Sequence, residues 1–123
     1  MNSDEPTETY ILNGNGQEVN GASETGTGFV VTEGPLAGSR FLLNRLVSTL
    51  GRHPDSDLFF DDITVSRRHA EITIDSSGAS VRDVGSLNGT YVNLAQIDDE
   101  TLINPGDTLQ IGKFKLVFFQ ETK

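Results

Sequence analysis

The chain has 123 residues, no cysteine, two histidines and a net charge of −9. That length allows one domain with a tail, and the lack of cysteine excludes disulfides, thiol nucleophiles and thiolate metal sites. So acidic a chain also disfavours nucleic acid and anionic membrane as partners, since both select basic surfaces.

The start, Met1-Asn2-Ser3-Asp4-Glu5, shows no basic segment leading into an apolar stretch, and no run nears the roughly 18 apolar residues that cross a bilayer. The expectation is a cytoplasmic protein. Residues 1–28 carry Asp4, Glu5, Glu8, Glu18 and Glu24 against no Lys or Arg, with one apolar patch at Tyr10-Ile11-Leu12. Such a composition buries too little surface to offset its ordering entropy, so 1–28 is read as a disordered acidic tail and 29–123 as the domain.

From Phe29 the pattern becomes a series of short apolar or alternating runs, at 29–32, 40–43, 47–50, 58–60, 70–74, 79–84, 91–93, 107–111 and 113–119. They are mostly too short for helices, rich in β-branched and aromatic residues, and spaced as in an all-β sandwich. Gly34-Pro35, Asp75-Ser76-Ser77-Gly78, Asn88-Gly89 and Asn104-Pro105-Gly106-Asp107 supply turn chemistry between them. Ile72 and Ile74 alternate with Glu71 and Thr73, so that strand buries one face. The last run is apolar on both faces and belongs inside a sheet or under cover.

Three loops concentrate anion-binding donors. They are Gly51-Arg52-His53-Pro54-Asp55-Ser56-Asp57, then Asp61-Asp62-Ile63-Thr64-Val65-Ser66-Arg67-Arg68-His69, then Gly85-Ser86-Leu87-Asn88-Gly89-Thr90. One strand up, a tight turn and one strand down separate the second from the third, which puts those two at the same end. The same parity leaves the first unplaced. A guanidinium offers a fixed fork of donors and a permanent charge, which suits a phosphate of about −2. A serine hydroxyl adds a short bond, and an asparagine amide both donates to and accepts from an extended main chain. Gly89 permits the backbone conformation that turns Asn88 outward.

Each residue also has a plainer reading. Arg52 alone reads as a surface arginine paired with Asp55 or Asp57, Ser66 as a turn serine, and Arg68 as a solvated charge. Asn88-Gly89 alone reads as a hairpin turn. Asp62, Ser66 and His69 invite a hydrolytic triad, but Ser66 lacks the strand-turn-helix glycine context of a nucleophile elbow. No catalytic residue, cofactor or metal is expected.

In order and spacing, Gly51-Arg52-His53, Ser66-Arg67-Arg68-His69 and Ser86-Leu87-Asn88-Gly89-Thr90 resemble the three signature blocks of the forkhead-associated (FHA) domain. The resemblance spans residues 29–119 and implies an eleven-stranded β-sandwich with the three loops at one apex. It implies that Arg52 and Ser66 hold a phosphothreonine, that Arg67 assists, and that Asn88 holds the peptide main chain. Gly51, His69 and Gly89 would then shape the site. Gly34-Pro35, the stretch from Ala37 to Leu43 and the block Ile111-Gly112-Lys113-Phe114 are similar to a narrower actinobacterial family, that of oxoglutarate dehydrogenase inhibitor and glycogen accumulation regulator. This implies a regulatory tail phosphorylated by a Ser/Thr protein kinase, with Thr9 the better and Thr7 the poorer candidate. The partners implied are phosphothreonine proteins or the chain's own phosphorylated tail, and enzymes of glutamate metabolism such as 2-oxoglutarate dehydrogenase.

Overall fold

The structure, a computed structural model, describes residues 26–121. Thr7 and Thr9 lie outside the described residues. Among those described, eleven strands form and no helix occurs. The strands are β1 (Gly26–Glu33), β2 (Arg40–Leu42), β3 (Val47–Gly51), β4 (Leu58–Phe59), β5 (Ala70–Asp75), β6 (Gly78–Asp83), β7 (Thr90–Val92), β8 (Ala95–Gln96), β9 (Thr101–Ile103), β10 (Thr108–Ile111) and β11 (Phe114–Glu121). They make a six-stranded sheet in the order β2-β1-β11-β10-β7-β8 and a five-stranded sheet in the order β4-β3-β5-β6-β9.

Inward residues of the two sheets meet in one core. Phe29, Ile111, Phe114, Leu116 and Phe118 come from the first sheet, and Leu50, Leu58, Ile72 and Val81 from the second. Phe60 sits between Phe41 at 5.6 Å and Phe114 at 4.9 Å, ring to ring. It joins both sheets just where the chain leaves β4 for the second loop. Burying each such ring contributes about 2 kcal/mol, which anchors that loop at its root.

All nine runs found in the sequence become strands. The last, almost wholly apolar run is β11, flanked in its sheet by β1 and β10, with Phe119 on its outer face covered by the Arg40 guanidinium at 4.6 Å. Two strands left no such run. β8 is two exposed residues and β9 an edge strand whose Leu102 points outward, so neither carries an inward apolar alternation. β1 begins at Gly26, ahead of the first apolar run, because Gly26, Thr27 and Gly28 pair with Glu121, Gln120 and Phe119 through main-chain groups alone.

Strand pairing gathers the three loops. Leu50 near the end of β3 pairs with Ala70 at the start of β5, and Ala70 pairs with Asp83 at the end of β6. The first loop therefore lies at the end already shared by the other two. The segment 84–89 joins β6 in one sheet to β7 in the other. Asn88-Gly89 is thus on a crossover between sheets, which corrects its reading as a hairpin turn. The next two-residue hairpin turn along the chain is Asn93-Leu94, with φ of 50° and 74°, between β7 and β8.

Candidate functional site

The first two loops are zipped by main-chain bonds. Arg52 N–H donates to the Ser66 carbonyl at 2.9 Å, and His53 N–H to the Arg67 carbonyl at 3.2 Å. Such an approach leaves no room beside Gly51, where a Cβ would sit 2.1 Å from the Arg67 carbonyl oxygen. Gly51 is required by space rather than by an unusual φ.

The Arg52 guanidinium is pinned at its root, Nε donating to the Val65 carbonyl at 3.0 Å. Val65 is itself fully buried and held by its N–H on the Asp62 carbonyl at 3.0 Å. Among the described residues the terminal nitrogens of Arg52 hold no carboxylate. Asp57 is taken by Arg45 at 2.6 Å and by Thr49 N–H at 2.9 Å, and Asp55 projects into solvent. Burial raises the Asp57 pKa, but the bonds from Thr49 and Arg45 more than offset that, leaving it below the usual carboxylate value. The surface-pair reading of Arg52 therefore gives way: both of its proposed acidic partners lie elsewhere.

His69 is fully buried beneath these loops. Its Nδ1 accepts the Ser66 N–H at 3.1 Å and its Nε2 lies 2.9 Å from the Gly89 carbonyl, which fixes the Nε2–H tautomer. Burial pushes the imidazole pKa down, against smaller upward pulls from the Gly89 carbonyl and the Asp83 charge. One neutral ring thus braces the second loop against the third. Both ring nitrogens are spent on main-chain groups, so His69 cannot take a proton from Ser66 Oγ. The triad fails on geometry. Ser66 Oγ instead accepts the Leu87 N–H at 2.9 Å, and its own proton remains free to donate.

The third loop hangs on Asp83. Its carboxylate accepts from Gly85 N–H at 2.8 Å, Ser86 N–H at 2.9 Å, Thr90 Oγ1 at 2.7 Å and the Ser86 hydroxyl. Burial alone would raise this carboxyl, yet the four donors carry its pKa down to about 2. Ser86 Oγ in turn accepts the Gly89 N–H at 2.9 Å, where φ is +90°. A glycine adopts that backbone freely, and it leaves Asn88 exposed at the loop tip.

Asn88 Nδ2 donates to the Thr64 carbonyl at 3.0 Å. That bond leaves its Oδ1 and second N–H for a ligand. Thr64 is itself fixed, its hydroxyl donating to Asp62 and accepting the Lys113 N–H at 3.0 Å. The Thr64 bonds hold the Asp62 carboxyl below its usual value, with Lys113 Nζ at 3.4 Å adding to the effect. A shallow groove beside Asn88 is lined by Thr64, Tyr91, Leu94, Gln110, Gly112 and Lys113.

The structure thus ties Arg52, Ser66 and Asn88 into one hydrogen-bonded end, with Gly51, His69 and Gly89 beneath. Arg67 joins through its carbonyl, and its exposed side chain makes no bond with a described residue. Thr64, Asp83 and Ser86 were not singled out from sequence as site residues. The stretch Asp83-Val84-Gly85-Ser86, an aspartate at a strand end two residues before glycine, is an Asx-turn signal that could have pointed to Asp83. Thr64 carried no such signal, since its role depends on a turn 49 residues away.

Comparison with known proteins agrees with this geometry. The FHA domain family matches residues 48–112. Glycogen accumulation regulator GarA of Mycobacterium tuberculosis is 58% identical over 94 residues, covering 76% of this chain and 57% of that protein. The chain therefore spans just over half the length of those mycobacterial relatives. Oxoglutarate dehydrogenase inhibitor of Corynebacterium jeikeium is 54% identical over 105 residues, covering 85% of this chain and 72% of that one. An FHA domain solved in a study of phosphothreonine-dependent interactions superposes with a TM-score of 0.72 at 29% identity, covering 80% of this chain and all of that one. The FHA domain of FhaA, solved with the intracellular domain of a second protein, gives 0.67 at 30% identity, covering 75% and 98%. The chain belongs to the FHA domain family.

Proposed function

We propose that the chain is a non-catalytic module that binds phosphothreonine in extended protein segments and regulates enzymes of 2-oxoglutarate and glutamate metabolism. The observation that carries the first part is the state of Arg52. Its fork is anchored by one nitrogen on Val65, free of carboxylates among the described residues, and set beside a serine whose proton has no acceptor. Arg52 and Ser66 hold the phosphate, Arg67 adds charge from the rim, and Asn88 holds the ligand main chain. The metabolic part is supported by the names of the relatives, glycogen accumulation regulator and oxoglutarate dehydrogenase inhibitor.

Regulation is by the chain's own tail, phosphorylated on Thr9 by a Ser/Thr protein kinase. β1 starts 17 residues after Thr9, and a flexible linker of that length would reach roughly 23 Å root-mean-square, against a domain radius of gyration of about 12 Å. A tethered segment presents itself at an effective concentration on the order of millimolar. With micromolar intrinsic affinity it would exclude an outside ligand by about a thousandfold.

A plain adaptor is the second reading, favoured by the FhaA domain having been solved with another protein's intracellular domain. One experiment separates them. Phosphopeptide affinity is compared for Thr9-phosphorylated chain before and after removal of residues 1–25, a cut that spares β1. Tail inhibition gives a large gain in affinity; an adaptor gives none.

A further inference from the structure

Asn88 precedes Gly89, and an exposed asparagine before glycine is the dipeptide most prone to lose its amide. The Gly89 nitrogen attacks Asn88 Cγ, the new N–Cγ bond forms as the Cγ–Nδ2 bond breaks, and ammonia leaves carrying the Gly89 proton. Water then opens the cyclic imide at one carbonyl to give aspartate, or at the other to give isoaspartate. Nothing but water is consumed.

Three bonds in this structure oppose that first step. Gly89 N–H is held on Ser86 Oγ at 2.9 Å, so the attacking nitrogen keeps its proton and its place. Asn88 Nδ2, the leaving group, is held on the Thr64 carbonyl at 3.0 Å. The Asn88 carbonyl accepts from Tyr91 Oη at 3.3 Å, which limits rotation of the peptide between the two residues. Ser86 is itself fixed through its hydroxyl on Asp83.

We infer that Asn88 is a latent deamidation site, and that Asp83, Ser86, Thr64 and Tyr91 act as its guard. Loss of the amide would put a carboxylate where Nδ2 now donates, facing the Thr64 carbonyl oxygen with no proton between them. The same carboxylate would repel a phosphoryl ligand. Deamidation would therefore close the site irreversibly in any molecule whose guard has opened. The chemical part stands apart from the proposed function; only the loss of binding rests on it.

The test is peptide mapping by mass spectrometry after incubation of the full chain at mildly alkaline pH. Three samples are compared: folded chain, chain unfolded in urea, and Ser86→Ala checked for its native fold by amide spectra. Two ordinary hydrogen bonds to be broken before cyclisation predict folded chain slower than unfolded by roughly thirtyfold. Ser86→Ala should recover much of that rate at Asn88 while Asn93 and Asn104 remain slow. Should Ser86→Ala lose its fold, Tyr91→Phe, which removes only the third bond, must still give a measurable acceleration. Equal rates in folded and unfolded chain, or no acceleration in a folded variant, would overturn the guard. Because the readout is a mass change, it succeeds or fails whether or not phosphothreonine binds.

Discussion

The Gly51 Cα and the Arg67 carbonyl oxygen are packed so closely that a single added carbon would lie 2.1 Å from that oxygen. Neither residue can shift alone, because the flanking Arg52 and His53 N–H groups bond to the carbonyls of Ser66 and Arg67. Gly51→Ala must therefore part the first two loops. It is expected to cost about 3 kcal/mol, measured as a lower midpoint in urea unfolding with unchanged slope.

His69 predicts the acid side of stability. Its folded pKa lies below the unfolded value of 6.5. Below pH 6.5 the unfolded chain therefore binds a proton that the folded chain refuses. The sign follows: this group's contribution is complete above that pH and declines as pH falls beneath it. Long-range nitrogen spectra of the ring should show the neutral Nε2–H tautomer persisting in folded protein to lower pH than in the unfolded chain. A ring that charges near its ordinary pKa would mean that the brace is open.

Asp83 predicts a second window. With a folded pKa of about 2 against 3.8 unfolded, its contribution is complete above pH 3.8 and disappears toward pH 2. Asp83→Asn should lose about 1 kcal/mol at neutral pH, allowing for solvent screening of a partly exposed carboxylate. The difference between variant and parent should shrink as acid is added. Asp57, Asp62 and Asp75 also titrate below their usual value, so the difference curve is the informative one.

Thr64→Val removes the hydroxyl that accepts the Lys113 N–H but keeps the carbonyl that receives Asn88. Stability should fall by about 1 kcal/mol. Phosphopeptide affinity should fall by no more than about threefold, since the Asn88 anchor survives. A larger loss by titration calorimetry would make the side chain, not the carbonyl, the anchor.

Much of the fold was legible because its signals are local. Nine strands carry their own apolar or alternating run. β8 and β9 do not, since a two-residue strand and a half-exposed edge bury too little to leave a pattern. For the site, the residue types of Arg52, Ser66 and Asn88 pointed to anion binding before any coordinates. Strand alternation already brought the loops of Ser66 and Asn88 to one end, whereas alternation alone left Arg52 unplaced and only the family resemblance put it there, because its position depends on β3 pairing with β5 in register. The bracing by His69 follows the family pattern, but its two main-chain partners, 3 and 20 residues away, are visible only in the fold. Thr64 was silent for the same reason.

The most direct test is calorimetric titration of a phosphothreonine peptide into the chain, its Arg52→Lys variant and its Arg52→Ala variant. Amide spectra first establish that each variant keeps its fold. Loss of a charge-assisted fork predicts a drop of about a hundredfold or more for alanine, and about tenfold for lysine, which keeps charge but not the fork. The unphosphorylated peptide should bind none of the three measurably. If folded Arg52→Ala holds the phosphorylated peptide as tightly as the parent, phosphate recognition by this apex is contradicted.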